Sequence, residues 1–188
     1  MTLLPTPSQT VGPFFSFALP FEGSPLLVAE GAPGAVQIVG TVFDGEGEPV
    51  PDAMLEIWQA NAEGRYAHPE DTRSEVPLTE GFTGFGRNLT DAEGGYWFST
   101  VKPGRVPARG GGLQAPHISF SIFTRGLLKR RATRMYFPDE PASNEEDAVL
   151  AAVEDPGLRS TLVARAEDGA LRFDVHLQGD RQTAFFAV

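Results

Sequence analysis

Tyrosine and histidine side chains are the donors that this sequence offers for metal or acid–base chemistry. Its 188 residues include three histidines and no cysteine, which excludes disulfide bonds and zinc–thiolate sites. His68 lies in a loop and His176 on the outward face of a predicted strand, so both are interpreted as surface residues. Tyr66 and His117 remain. They are either ligands of a metal or residues that line a cavity, and two donors are few for a metal.

A cluster of basic residues lies in a chain whose formal net charge is -10. It comprises Arg125, Lys129, Arg130, Arg131 and Arg134. Such charges are typical of a solvated edge strand. An anionic substrate would also need a local cation, because the overall field repels it. The same net charge argues against nucleic acid as a partner.

Short alternating segments bounded by glycine and proline predict an all-β protein, a β-sandwich with long loops. The predicted strands cover 36–43, 53–59, 96–101, 116–123, 130–137 and 171–178. Alternation places His117, Ser119 and Ser121 on one face of their strand. The connection at 60–85 is long for a compact domain, and such loops often carry function. One short helix is predicted over 145–153, with Asn144 as its cap.

The first 35 residues differ in character from the rest. Their prolines and glycines forbid a long helix or a central strand. The aromatic run from Phe14 to Phe21 is nevertheless unlike the polar composition of a disordered tail. We therefore expect 1–35 to be an arm that packs on its own domain and on a partner chain. Residues 36–188 are expected to form a single β-sandwich domain.

Three sequence blocks, in this order and spacing, resemble the intradiol ring-cleaving dioxygenases. They are Leu55–Tyr66 (LEIWQANAEGRY), Phe85–Gly104 (FGRNLTDAEGGYWFSTVKPG) and Ala115–Phe120 (APHISF). The resemblance extends from about Pro5 to Phe186. It implies a site in which two tyrosinates and two histidines hold Fe(III). Anionic oxygen donors suit such a hard cation.

The ligand set that this resemblance implies is incomplete here. Tyr66 matches the first tyrosine, and His117 matches the first histidine of an H-x-H pair. Val106 stands at the position of the second tyrosine, and Ser119 at that of the second histidine. Gln114 stands where the family has an arginine. The resemblance therefore implies that this chain binds no metal.

The opening segment PSQTVGPFF and the same loss of ligands resemble the iron-free chains of two-chain members of the family. This implies a hetero-oligomer in which a homologous beta subunit carries the Fe(III). This chain alone would have no catalytic residue, and it would contribute part of the wall of a shared substrate pocket. The wall residues implied by the resemblance are Thr10, Gly12, Pro13, Phe14 and Arg134.

The reaction implied by the resemblance inserts both atoms of O2 into protocatechuate, a small aromatic substrate, and gives 3-carboxy-cis,cis-muconate. Two alternatives stay open: a self-sufficient catechol or hydroxyquinol dioxygenase, and a non-enzymatic β-sandwich binding module. No segment approaches the roughly 20 apolar residues of a transmembrane helix, so no membrane partner is expected. Residues 1–9 lack a signal-peptide pattern. With the absence of cysteine, these features predict a cytoplasmic protein.

Overall fold

The computed structural model describes residues 5–187, so residues 1–4 of the predicted arm and residue 188 lie outside the described chain. The strands are β1 (Ala35–Phe43), β2 (Met54–Trp58), β3 (Phe85–Leu89), β4 (Gly95–Val101), β5 (Val106–Pro107), β6 (Leu113–Gln114), β7 (His117–Phe123), β8 (Arg131–Tyr136), β9 (Arg165–Glu167), β10 (Ala170–Arg172) and β11 (Val175–His176). The helices are α1 (Phe15–Ala18), α2 (Pro141–Glu146), α3 (Ala148–Ala151) and α4 (Pro156–Ser160). Within residues 5–187, no helix is long and apolar enough to span a bilayer.

Two sheets form the body of the domain, which confirms the predicted β-sandwich. In the first sheet, β1 pairs antiparallel with β4 and parallel with β10 and β11, and β9 lies beyond β10. The second sheet has the order β3-β2-β7-β8 and is antiparallel. A separate ribbon is formed by β5 and β6.

The core lies between the two sheets because apolar side chains alternate along the facing strands. Ile38 of β1 and Ile57 of β2 are fully buried. Phe98 of β4 meets Phe120 of β7 edge to face, with ring centroids 6.2 Å apart. Each such side chain stabilises the fold by roughly 1.5–3 kcal/mol through burial.

The strand predicted at 171–178 is divided into β10 and β11. Both parts pair with β1, but between them the Thr41 N–H donates to the Asp174 carboxylate at 3.1 Å. The Asp174 side chain thus accepts a hydrogen bond that a backbone carbonyl would accept in a continuous strand. Phe173 and Val175 are buried, as expected for the face of this segment opposite His176.

The single helix predicted over 145–153 has the wrong bounds, and α2 and α3 stand in its place. Asp147 separates them with an extended backbone (φ -74°, ψ 114°). Its side chain caps α3 by accepting from the backbone N–H groups of Val149 and Leu150. Asn144, the predicted cap, lies within α2. Sequence periodicity does not detect such a break, because both halves keep helical composition.

The described part of the N-terminal arm is hydrogen-bonded to the edges of both sheets. The Arg87 N–H on β3 donates to the Ser24 carbonyl at 2.8 Å, and the Ser24 hydroxyl donates back to the Arg87 carbonyl at 2.5 Å. The Leu27 N–H donates to the Ser99 carbonyl on β4, also at 2.8 Å. Residues 24–27 therefore cross the open side of the sandwich.

The Arg87 side chain also holds the arm. Its Nη1 donates to the Leu19 carbonyl at 2.6 Å, and its other donors reach the Glu56 carboxylate. The guanidinium carbon lies 5.6 Å from the centroid of the Phe21 ring and 5.5 Å from that of Phe85. Cation–π contacts of this kind add roughly 0.5–1 kcal/mol at exposed sites. Arg87 thus joins the arm to β2 and β3.

The tip of the arm exposes apolar rings. Phe14 is 66% exposed and Phe17 is 69% exposed, and the two rings pack edge to face at 5.3 Å. Phe15, between them, is buried. At the other end of the described arm, the Thr10 hydroxyl accepts from the Gly126 N–H at 2.8 Å. The arm is therefore fixed on both sides of a two-ring protrusion.

Candidate functional site

Tyr66 is positioned by a carboxylate in the long loop after β2. Its N–H donates to Asp71 Oδ2 at 2.9 Å, and Arg73 Nη2 approaches the same oxygen to 2.6 Å. The hydrogen bonds from Arg73 hold the pKa of Asp71 well below its usual range. Gly64 makes the preceding turn with a φ of 81°, and a side chain there would collide with the Arg105 carbonyl. These contacts define how the loop presents the phenol.

An open cleft of about 800 Å³ lies beside Tyr66. The Tyr66 ring is nearly parallel to the Trp58 indole at 6.0 Å, and His68 lies edge-on to that indole at 6.3 Å. The cleft is lined by Trp58, Tyr66, His68, Glu70, Asp71, Thr72, Arg73, Val106, Pro107 and Gln114. Burial raises the pKa of Tyr66, while the charges of Arg134 and Arg73 act against it. His68 is exposed as predicted, but it also lines this cleft.

Val106 and Gln114 close one side of the cleft from the β5–β6 ribbon. They are directly paired across the two strands. The Val106 side chain is buried and apolar, so it provides packing where a ligand oxygen would be needed. The side-chain N–H of Gln114 donates to the Pro107 carbonyl at 2.9 Å. This leaves the side-chain oxygen Oε1 of Gln114 directed to other partners.

His117, the matched histidine, is a buried and neutral side chain. Its Nδ1 lies 2.8 Å from the Ala115 carbonyl, which can only accept, so Nδ1 carries the proton. The ring tilts over that of Tyr136 at 5.8 Å. Burial, followed by the positive charge of Arg134, lowers the pKa of His117 to about 4. The imidazole is therefore uncharged near neutral pH.

A fully buried carboxylate, Asp147, supports the strand that carries His117. Its Oδ2 accepts from the Ala115 N–H at 2.7 Å, and its Oδ1 accepts from Val149, Leu150 and the Tyr136 hydroxyl at 2.9, 2.9 and 3.2 Å. Burial raises the pKa of Tyr136 to about 12. Neither residue was predicted to belong to the site. An aspartate before Ala-Val-Leu is a capping signal, but nothing local indicates the contact with Ala115.

Arg134 belongs to a row of three side chains across the second sheet. Trp58 on β2 is paired with Ser119 on β7, and Ser119 is paired with Arg134 on β8. Arg134 Nη1 donates to Gln114 Oε1 at 2.8 Å and to the Tyr136 hydroxyl at 3.4 Å. Within residues 5–187, no carboxylate lies within 4.0 Å of this guanidinium.

The four positions matched to the iron ligands do not fit Fe(III). Val106 has no donor atom, and Ser119 offers only a neutral hydroxyl. Tyr66 and His117 remain, and the cation of Arg134 affects the pKa of both. A trivalent cation needs several anionic or imidazole donors and no adjacent positive charge. Among residues 5–187, no cluster of three or more His, Cys, Asp or Glu side chains is arranged to hold a metal.

The arm residues predicted to form a pocket wall lie apart from this cleft. Gly12, Pro13 and Phe14 are exposed on the protruding tip, and Thr10 is docked at Gly126. None of them lines the cleft. The structure therefore gathers Tyr66, Gln114, His117 and Arg134 in one region, and it leaves the arm facing outward.

Comparison with known proteins identifies the family of this chain. The family model described as Dioxygenase matches residues 10–179. The chain is 42% identical over 201 residues to the protocatechuate 3,4-dioxygenase alpha chain of Pseudomonas putida, covering 98% of this chain and 97% of that protein. It is 38% identical over 154 residues to the protocatechuate 3,4-dioxygenase beta chain of Burkholderia cepacia, covering 77% of this chain and 64% of that protein.

A solved structure gives the same result for the fold. It is the dioxygenase domain of a dioxygenase–carbohydrate-binding protein fusion from Streptomyces sp. SirexAA-E, with a TM-score of 0.60 and 28% identity. The match covers 93% of this chain and 99% of that one. The β-sandwich, the family model over residues 10–179 and the full-length similarity lead to one conclusion: the chain belongs to the intradiol dioxygenase family.

Proposed function

We propose that the chain is the iron-free alpha subunit of a protocatechuate 3,4-dioxygenase. The observation that carries this proposal is the incomplete ligand set in an otherwise well-formed family fold. Val106 and Ser119 replace two donors, and Arg134 adds a positive charge beside the two that remain. The similarity to an alpha chain over nearly its whole length supports the same assignment.

The Fe(III) of the assembled enzyme is held by a homologous beta subunit in this proposal. When bound there, the metal supplies a site at which a catecholate and O2 react. Both atoms of O2 enter the product as the ring opens between the two hydroxylated carbons of protocatechuate. The product, 3-carboxy-cis,cis-muconate, therefore forms without a further oxidant or reductant. The present chain contributes binding and positioning rather than metal chemistry.

The wall of the shared pocket is proposed to include Thr10, Gly12, Pro13 and Phe14. The exposure of Gly12, Pro13 and Phe14 on a tip that Thr10 anchors on one side and Leu19 on the other supports this, because a fixed protrusion is suited to insertion into a partner. Arg134 adds the positive charge that an anionic substrate requires in a chain of net charge -10. A preorganised cation is most effective where water is excluded.

The test is co-expression with a homologue from the same genome that keeps both tyrosines and both histidines of the family pattern. We expect the two chains to co-purify with one iron per pair and to consume O2 with protocatechuate. Tyr66→Phe in this chain should leave the iron content and visible absorption unchanged. Loss of iron in that variant would refute the assignment of the metal to the partner.

Arg134→Gln tests the proposed contribution to the shared pocket. A hydrogen bond to a charged group is worth about 1.5–3 kcal/mol, so kcat/KM should fall about 10- to 100-fold while the iron content stays constant. Arg130→Gln, which removes an exposed charge just before β8, is the matched control. Iron binding and catechol or hydroxyquinol cleavage by this chain alone would favour a self-sufficient enzyme. Failure to associate with any ligand-complete homologue would favour a binding module.

A further inference from the structure

A small pocket of about 230 Å³ is lined by residues of β9, β10 and β11 and of the segments 160–163 and 181–183. It shares no lining residue with the cleft beside Tyr66. Sites for organic ligands usually measure about 300–1,000 Å³, so this pocket suits a small ion. Its charged lining consists of three arginines and one carboxylate: Arg165, Arg172, Arg181 and Asp174.

Asp174 holds two of these arginines side by side. Arg165 and Arg172 are directly paired across β9 and β10, so they project from the same face. Arg165 Nη2 donates to Asp174 Oδ2 at 2.8 Å, and Arg172 reaches both oxygens of the carboxylate at 3.1 Å. A second carboxylate, Glu167, approaches Arg172 Nε to 3.7 Å from outside the lining. Asp174 therefore fixes two guanidinium groups and cannot neutralise both.

Three further donors of the pocket have no acceptor within residues 5–187. No carboxylate there lies within 4.0 Å of the Arg181 guanidinium. The buried Thr183 accepts from the His176 backbone N–H at 3.0 Å, which leaves its hydroxyl proton available. The His176 ring stacks on Phe43 at 4.7 Å, and this contact uses neither ring nitrogen. All three donors line the same pocket.

The pocket is locally positive, although the whole chain carries a net charge of -10. Its lining holds two more positive than negative charges. Burial, followed by the charge of Arg181, lowers the pKa of His176, and Arg165 acts in the same direction while Asp174 opposes it. Two arginines from different segments thus act on one ring. A bound anion would offset this repulsion.

We propose that this pocket binds a small, doubly charged oxyanion of the phosphate or sulfate type, held by Arg181, the Arg165–Arg172 pair and the Thr183 hydroxyl. Arginine binds phosphate oxygens through paired N–H groups. The four oxygens of such an ion can accept from donors that belong to separate segments of the chain. The ion would join the segment 181–183 to β9 and β10, so its binding should stabilise the fold.

The first experiment titrates the purified full chain with inorganic phosphate at constant ionic strength, with chloride as the compensating anion. We expect saturable binding by calorimetry and a saturable shift of the His176 ring resonances in the NMR spectrum. The His68 resonances should not move, because that ring lies in the cleft beside Tyr66. Sodium chloride alone should give no saturable shift of either ring.

Arg181→Gln is the decisive variant, because Arg181 is exposed and its loss removes no ion pair among residues 5–187. It should weaken phosphate binding at least about tenfold, as expected for a lost hydrogen bond to a charged group. Arg181→Lys, which keeps the charge, should recover part of the affinity. Arg109→Gln removes an exposed arginine between β5 and β6, and this matched control should bind phosphate like the parent chain.

Thermal unfolding gives an independent measure of the site. Phosphate at ten times its dissociation constant should raise the unfolding temperature of the parent chain by about 3–6 °C. Phosphate also stabilises folded proteins in general, because it is excluded from their surface. That contribution should be the same in Arg181→Gln, so the difference between the two chains isolates the pocket.

Glycerol phosphate, titrated in parallel, distinguishes two sources of the anion. Binding as tight as that of inorganic phosphate would support a phosphate monoester as the ligand, and much weaker binding would support the free ion. No saturable binding of phosphate by the parent chain, or equal binding by the parent and Arg181→Gln chains, would overturn the inference. Either result leaves the proposed function standing, because O2 consumption by the co-expressed pair tests that separately.

Discussion

Replacing Asp147 by alanine should destabilise the fold far more than the loss of an exposed helix cap would. Its carboxylate serves four donors, three of them backbone N–H groups, and it is fully buried. Loss of a helix cap costs about 1 kcal/mol. Leaving the Ala115 N–H buried without an acceptor adds about 1–3 kcal/mol, and leaving the Tyr136 hydroxyl without one adds about 1 kcal/mol. The free energy of unfolding should therefore fall by about 3–5 kcal/mol.

The assay is thermal unfolding followed by circular dichroism, and Asp155→Ala is the matched control. Asp155 caps α4 in the same way, but it is exposed and, within the described chain, accepts only from the Leu158 N–H at 2.9 Å. Each kcal/mol shifts the unfolding temperature of a domain of this size by about 2–4 °C. Asp147→Ala should thus lower it by about 6–20 °C, and Asp155→Ala by no more than about 4 °C. Equal shifts in both variants would refute the claim that burial and the Ala115 contact set the cost.

Three further outcomes are expected. The pKa of His117 is lowered to about 4, so its contribution to the free energy of unfolding is complete above pH 6.5. That free energy should fall by about 3 kcal/mol between pH 6.5 and pH 4. Urea denaturation should show the loss of this pH dependence in His117→Gln and its retention in His68→Gln. Arg87→Gln should release the arm and speed chymotrypsin cleavage near Phe17 severalfold, and an unchanged cleavage rate would contradict the anchoring role. Phe14→Ser with Phe17→Ser should weaken association with the proposed beta subunit at least about tenfold without lowering the unfolding temperature, which sedimentation and calorimetry can measure.

The sequence predicted the strands well because their alternation is local. The segments 36–43 and 96–101 coincide with β1 and β4 to within one residue. Alternation did not indicate β3, since Phe85–Leu89 contains two polar residues and a glycine. The glycine there is explained by tertiary packing, because Leu27 of the arm lies against Gly86.

The candidate site was predicted in its members but not in its connections. Tyr66, His117 and Arg134 were identified from the sequence. The hydrogen bond that joins Arg134 to Gln114 was not, because 20 residues and a strand crossing separate them. Asp147 was assigned to a helix, whereas it is the buried acceptor for the neighbouring segment. Long-range polar contacts of this kind depend on the packed fold and leave no periodic signal.

The lacing of the arm along β3 has a consequence for how copies of this domain can meet. An outer strand normally offers unpaired N–H and C=O groups that another strand can join. At the middle of β3, both backbone groups of Arg87 are already taken by Ser24. This border is therefore closed to strand addition, and sheets of separate molecules cannot merge through it into a continuous ribbon. Any association on this side has to use side chains. Its specificity is therefore determined by the aromatic rings of the arm and not by backbone hydrogen bonds.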